Sequence, residues 1–470
     1  MKRNDKPFWS RVHFVGIAGY GMSAIAQVLA KSGFIVTGCD LNPSVAVEKL
    51  SRSNIKVYEG HSANHLSEVD LVVVSSAISP ENEEIRKAAE MNIPVWHRAE
   101  MLGWLMCGRE SIAVAGSHGK SSVTAMLGAI LEAGGLDPTV IVGADVVEYG
   151  TNARLGGSEW IVAEADESDG SFLKLKPKYA VITNIELDHT SHYPNLEALI
   201  DAFADFINLI PSDGIIATCV DCPNTSMLSG VGEAHRVTFG INQPADYNIV
   251  ELHLDERGAS FHLCFRGRVV TGIRLNVCGV FNVQNALAAA AMAHSIGVDP
   301  DAISKGLSLF KGIKRRFELV GKMKGKNVVV IDDYAHHPSE VRAAIQSALV
   351  LPHNRCLVVF QPHRYTRTLS LHNEFGPAFK GADKVWVTEI FSAWETPIEG
   401  VSGKLIYDAI RKSLPDVDVY FVEGMDELVN QITEVAEEGD VVLILGAGDI
   451  CELSRKLVET SFPEKQADEL

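Results

Sequence analysis

The chain has 470 residues, 46% of them hydrophobic and 22% charged, enough for about three domains with separate cores. Its 42 basic and 60 acidic residues leave a net charge of −18, which repels a phosphate backbone and excludes nucleic acid as a partner; any anionic ligand must be held locally. Met1 to Ser10 is polar, no run of 18 apolar residues occurs, and only Cys219 and Cys222 of the eight cysteines form a C-x-x-C pair. The expectation is a cytoplasmic chain with no membrane contact and no disulfide scaffold, in which Cys219 and Cys222 are a plain reduced pair.

In chain order, apolar strands are predicted at Val12 to Val15, Ile35 to Gly38, Leu71 to Val74, Ile112 to Ala115, Trp160 to Ala163 and Ala180 to Thr183. They resume at Val328 to Ile331, Leu357 to Phe360, Val385 to Val387 and Val441 to Leu445. Continuous apolar strands with helices between them indicate parallel sheets covered on both faces, an α/β class. The alternating stretch Val237 to Val277 predicts a small antiparallel edge sheet on the central domain, and Phe462 to Leu470 a frayed polar tail. Three strand-to-turn motifs imply three sheets, with domains at 1–108, 109–317 and 318–470.

The first turn, Gly16 to Ser23, follows a strand and opens a helix, with Asp40 at the end of the next strand. Its spacing is G-x-x-G-x-G, which departs from the G-x-G-x-x-G of nicotinamide dehydrogenases, so any nucleotide diphosphate suits it. The second motif, Gly116-Ser117-His118-Gly119-Lys120-Ser121-Ser122, reads as a P-loop running into a helix that ends near Glu132. Its backbone N–H groups can cradle phosphates, Lys120 can reach the β and γ oxygens, and Ser121 can ligate Mg²⁺. Acidic runs follow two strands, Glu164-Ala165-Asp166-Glu167-Ser168-Asp169 and Glu186-Leu187-Asp188-His189, and beside a P-loop they suggest metal ligands, with Glu164 and His189 the candidates. The third region pairs Asp332-Asp333-Tyr334-Ala335-His336-His337 with His363-Arg364-Tyr365-Thr366-Arg367, a cleft suited to an anionic substrate.

Together these motifs resemble the Mur ligases, ATP-dependent amide-forming enzymes of peptidoglycan assembly, over nearly the whole chain. The resemblance also rests on Ser75 to Ile78, Arg98 to Leu102, Asn282-x-x-Asn285, Arg315-Arg316-Phe317 and Gly446 to Asp449. It implies Rossmann-like first and third domains around a P-loop ATP domain, acting as a monomer or homodimer. The implied reaction joins L-alanine to the lactyl carboxylate of UDP-N-acetylmuramate through an acyl phosphate; a sister member that adds a preformed peptide during cell-wall recycling is the alternative. By the same resemblance Gly19, Gly21, Met22, Ser23, Asp40, His61 and Ser76 line the UDP-sugar site, and Glu167, Ser168, His336, Arg364 and Arg367 contact substrate. Gly116 to Ser122, Asn282, Asn285, Arg315, Arg316, Asp333 and Tyr334 hold ATP, and Ser121, Glu164 and His189 hold Mg²⁺. Lys120, His189, Arg364 and Arg367 carry the catalysis, although a His189 nitrogen bound to metal is unavailable as a base. The chain departs from the family in having Ser at 117, 121 and 122 for the usual Thr, which keeps the hydroxyls. It also has Phe281 for the usual His and a different segment at Thr190 to Pro194.

Overall fold

The computed structural model describes residues 7–42, 44–190 and 192–458; the tail Phe462 to Leu470 lies outside the described residues. In the first sheet the strands Lys56–Glu59, Ile35–Asp40, Arg11–Val15, Leu71–Val74 and Val95–His97 lie side by side in that order, all parallel. The chain begins in the middle of this sheet and winds outward both ways, so the loops leaving Arg11–Val15 and Leu71–Val74 diverge and open a crevice at the strands' carboxyl ends.

The central sheet is built around Glu110–Ala115, flanked by Trp160–Glu164 and Tyr179–Ile182 in parallel register. Five of the six residues of Glu110–Ala115 are buried, as a strand covered on both faces requires. The helix Lys120–Ala133 that follows packs against the alanine-rich helix Val280–Ser295, whose small side chains permit close approach. The antiparallel segment differs from expectation. His235–Phe239 runs parallel to Ile215–Cys219, and the antiparallel strands are Tyr247–Asp255, Gly258–Phe265 and Arg268–Leu275. They are not a separate sheet: the pair Phe239 and Tyr247 joins them to the edge of the central one. Alternation alone could not show this, because the half-exposed parallel strand His235–Phe239 alternates in burial as well.

The third sheet is parallel through Val329–Asp333, Val441–Leu445, Cys356–Phe360, Lys384–Val387 and Asp418–Phe421, with Glu318–Lys322 added antiparallel at one edge. One continuous core runs from Trp9, Val12 and Phe14 of the first sheet to Ile161, Phe172 and Phe203 of the central one. All eight cysteines are free thiols, Cys219 and Cys222 included. Among the described residues no helix is long and apolar enough to cross a membrane.

Candidate active site

The turn between Glu110–Ala115 and Lys120–Ala133 takes its shape from two glycines with positive φ. Gly116 has φ +136° and Gly119 +82°; a Cβ would meet Thr183 Oγ1 at 2.0 Å and Asn285 Oδ1 at 2.4 Å respectively. The Ser117 and His118 N–H groups donate to Asn184 (3.0 and 2.8 Å), and the loop leads directly into the N-terminus of the helix Lys120–Ala133, whose first N–H groups have no intrahelical partner. Lys120 Nζ is held by the carbonyls of Gly116 (2.6 Å) and Ser117 (3.2 Å) and by Glu167 (2.9 Å). Burial would depress its pKa, but Glu167, Glu164 and Asp166 raise it, so the ammonium stays charged.

The acidic run divides its labour. Glu164 accepts from the Ser121 hydroxyl and the Gly143 N–H, each at 2.8 Å, so two proposed metal ligands stand in contact. Asp166 accepts from Arg98 at 2.6 Å; burial opposes its ionisation, but Arg98 and Lys120 hold its carboxyl below the usual range. Arg98 crosses from the first sheet's side, a role sequence reasoning did not assign. Glu167 is 1% exposed and its Oε2 makes no hydrogen bond among the described residues, although it lies 2.9 Å from Lys120 Nζ. His189 stands in left-handed backbone, φ 55°, with Nε2 3.5 Å from Glu167 and 3.8 Å from Asp188. Oxygen donors collected beside an ammonium and buried in part without partners fit a hard dication.

A cavity of about 360 Å³ gathers residues from all three sheets: Tyr20, Gly21 and Arg98; Lys120, Ser121, Glu164, Ser168, Asp188 and His189; and Arg315, Arg316, Tyr334, His336, Arg364 and Arg367. A second, of about 200 Å³, lies between the P-loop and the third sheet, walled by Phe281, Ala343, Ala344, Gln284 and Asn285 and floored by His118, Gly119, Ser121 and Ser122. Its apolar wall with amide edges suits a nucleobase.

The two arginines of the sequence-read cleft behave differently. Arg367 is 6% exposed and grips Asp188 through Nε (3.1 Å) and one terminal nitrogen (2.8 and 3.0 Å), while its other terminal nitrogen donates to His363 at 3.0 Å. Its guanidinium is thus engaged within the protein and is not free for a substrate carboxylate. Arg364 sits at φ 72°, its guanidinium 4.0 Å from Glu395 and its Nε without a partner among the described residues. His336 donates from Nδ1 to the Tyr334 carbonyl (2.9 Å); burial pushes its pKa down to about 3, so the ring is neutral. The guanidiniums of Arg315 and Arg316 each lie 5.1 Å from the Tyr334 ring centroid, and Arg315 donates to the carbonyls of Gly446 and Gly448. Asp333 faces the smaller cavity but accepts from the N–H groups of Phe317 and Ala335, both at 2.7 Å.

Other sequence candidates are occupied internally. The Ser23 hydroxyl donates to the Tyr20 carbonyl and accepts from Asn152, and the Met22 side chain is buried, so both side chains are engaged within the protein. Asp40 accepts from Ala18 N–H (3.0 Å) and Asn42 N–H (3.1 Å), shaping the turn itself. His61 contacts Cys39 Sγ at 3.2 Å, and the Ser76 hydroxyl donates to Asp169. Asn282 donates to the Cys278 carbonyl and stands outside the smaller cavity, where Gln284 and Phe281 take its place.

Sequence reasoning also missed the bridge from the P-loop to the third sheet. His118 lies 3.1 Å from Glu340 and 3.2 Å from Glu186, and Ser339 donates to Glu186 at 2.5 Å. Burial would depress the His118 pKa, but Glu340 and Glu186 raise it to about 10. A folded pKa above the unfolded value of about 6.5 means the contribution is complete below that value and is lost as pH rises through about 10. The melting-temperature gap between the wild type and His118→Asn should therefore narrow from pH 6.5 to 10; a gap that widened over this window would count against the ion pairs.

Family models match three successive stretches: "Mur ligase family, catalytic domain" at 11–110, "Mur ligase middle domain" at 114–293 and "Mur ligase, glutamate ligase domain" at 315–448. The chain is 42% identical over 449 residues to a UDP-N-acetylmuramate–L-alanine ligase of Pelotomaculum thermopropionicum, covering 95% of this chain and 97% of that one. It is 43% identical over 439 residues to the same-named enzyme of Syntrophus aciditrophicus, covering 93% and 91%. Among solved structures, the UDP-N-acetylmuramate-alanine ligase of Thermotoga maritima superimposes with a TM-score of 0.80 at 32% identity, covering 96% and 98%. A murein peptide ligase of Psychrobacter arcticus gives 0.70 at 25%, covering 95% and 98%.

Proposed function

The chain belongs to the Mur ligase family, and from that premise we propose how its three sheets divide the work of one amide-forming site. The enzyme is an ATP-dependent ligase that joins L-alanine to UDP-N-acetylmuramate in peptidoglycan synthesis. The observation that carries the division of labour is the cavity in which Gly21, Lys120 and Arg364 face one another from three different sheets. The first-turn N–H groups at Tyr20 to Met22 take the UDP diphosphate, the P-loop takes the ATP phosphates, and the adenine lies against Phe281 and Asn285.

A carboxylate is a poor acyl donor, so the lactyl carboxylate of the sugar first attacks the γ-phosphorus, displacing ADP and giving an acyl phosphate. Lys120 and Arg316 stabilise the charge on the transferring group. The alanine ammonium gives up one proton to solvent, and the free amine attacks the acyl carbon; the nitrogen of the tetrahedral intermediate releases a second proton as the intermediate collapses, the carbon–phosphate oxygen bond breaks and phosphate leaves. Arg364, with an unpartnered Nε, holds the alanine carboxylate. Ser121, Glu164 and His189 would hold magnesium, which when bound neutralises phosphate charge. Tested with UDP-N-acetylmuramate and L-alanine, glycine, L-serine or a tripeptide, ADP release should be fastest with L-alanine. Faster turnover with the tripeptide would move the chain to the peptide-adding branch.

Glu164→Ala and His189→Ala are each expected to raise the magnesium concentration for half-maximal rate by about tenfold or more. Unchanged magnesium titrations in both variants would remove these residues from the metal.

A further inference from the structure

The first sheet carries a cluster that ligation does not use. His13 on Arg11–Val15, Cys39 on Ile35–Asp40, His65 on the short turn of 3-10 helix Ala63–Leu66 and Glu84 on the helix Glu83–Glu90 converge on one point. One imidazole nitrogen from each histidine, the thiol sulfur and a carboxylate oxygen all lie within 4.8 Å of one another. Cys39 Sγ is 3.0 Å from Glu84 Oε2, His65 Nδ1 is 2.6 Å from Glu84 Oε1, and His13 Nε2 is 3.6 Å from Glu84 Oε2. His13, Cys39 and Glu84 are fully buried, whereas the His65 side chain is 13% exposed and leaves an ion a way in.

Two independent features point to a ligand. His13 Nδ1 lies 2.8 Å from Thr37 Oγ1; with Nδ1–H donating to that hydroxyl, the lone pair falls on Nε2. That nitrogen is aimed into the cluster and has no hydrogen-bond partner among the described residues, an arrangement that costs stability unless something takes up the lone pair. A histidine oriented through its far nitrogen is also the usual support of a metal ligand. Glu84 supplies the second feature: its carboxylate is fully buried, and both oxygens face the cluster, Oε1 toward His65 and Oε2 toward Cys39. One sulfur, two imidazole nitrogens and one carboxylate oxygen make a borderline-soft set of four donors, the number and kind that zinc takes and unlike the all-oxygen surroundings of magnesium.

We propose that His13, Cys39, His65 and Glu84 form a structural zinc site in the first domain, separate from the ligation cavity. Four protein ligands close the coordination shell, so the ion holds structure and does not activate water. Binding releases the Cys39 thiol proton to solvent, since the thiolate is the ligand. The site ties the helix Glu83–Glu90 to the strand that shapes the nucleotide turn: the Cys39 carbonyl accepts from the N–H groups of Gly16 (2.9 Å) and Ile17 (3.0 Å). Zinc thus stiffens the turn from beneath.

The test uses the full chain, stripped of metal and titrated with Zn²⁺ against a chromophoric chelator, then with Co²⁺ as a spectroscopic probe. One Zn²⁺ per chain should bind with submicromolar affinity, and Co²⁺ should give a near-ultraviolet thiolate charge-transfer band with the intense visible bands of a tetrahedral site. Cys39→Ser should abolish that band and weaken zinc by about 100-fold, and His65→Asn, at the exposed rim, should weaken it by about tenfold or more. Cys219→Ser should change neither. Should Cys39→Ser fail to fold, His65→Asn decides. The proposal is overturned if the wild type takes up no stoichiometric zinc, if Co²⁺ gives no thiolate band, or if affinity and band survive in folded His65→Asn.

Discussion

Replacing Lys120 by alanine is expected to lower ligation by about 10²–10³-fold while leaving UDP-N-acetylmuramate binding close to wild type. The ammonium is charged, it is held by Gly116, Ser117 and Glu167, and it faces the cavity where the phosphoryl group must travel. Its interaction strengthens as charge shifts during transfer, so its loss falls on the rate more than on ground-state affinity. The substitution also leaves Glu167, 1% exposed, without its cation, and the acidic run then repels the incoming phosphates. The UDP-sugar turn at Gly16 to Met22 belongs to another sheet and should be untouched. Calorimetric titration with the UDP-sugar and an assay of ADP release check both halves, and a folded variant retaining more than a tenth of wild-type turnover would sink the assignment.

The contrast between Lys120 and Arg367 shows what the sequence could and could not disclose. The P-loop was legible because Gly116, Gly119 and Lys120 are local: the turn needs those residues within a few positions, and it needs little else. The three sheets were legible for a similar reason, since buried parallel strands read as continuous apolar runs. What stayed hidden were partners brought together by packing. Arg98 and Asp166 are 68 residues apart, Asp188 and Arg367 179, and His118 and Glu340 222. Glu84 sits in an acidic, surface-looking stretch, yet it is buried against three histidines and a cysteine. Asn282 and Gln284 differ by only two positions on one helix, and that rotation decides which of them faces the nucleotide cavity.

Arg367→Ala is the other substitution with a large expected effect, and its physical basis is the grip on Asp188. The residue reads in sequence as a partner for the alanine carboxylate, but its guanidinium is already paired within the protein, joining the helix Tyr365–Ala378 of the third sheet to the Asp188 loop of the central one. Burial would raise the Asp188 pKa, yet the Arg367 guanidinium holds the carboxyl far below its usual range. Removing the arginine leaves a buried anion uncompensated, a loss of about 3–5 kcal/mol, or roughly two to three and a half decades in an equilibrium constant at about 1.4 kcal/mol per decade. Because the pair spans two sheets with separate cores, the loss should appear in domain closure more than in the folding of either part. Turnover should fall by about 100-fold or more, and the radius of gyration of the variant with UDP-N-acetylmuramate and a nonhydrolysable ATP analogue should stay near its ligand-free value, whereas that of the wild type shrinks. Arg364→Ala should behave differently, raising the KM for alanine more than that for ATP while closure persists. If Arg367→Ala closes normally and loses only alanine affinity, the arginine contacts substrate directly and the Asp188 pair opens during the catalytic cycle.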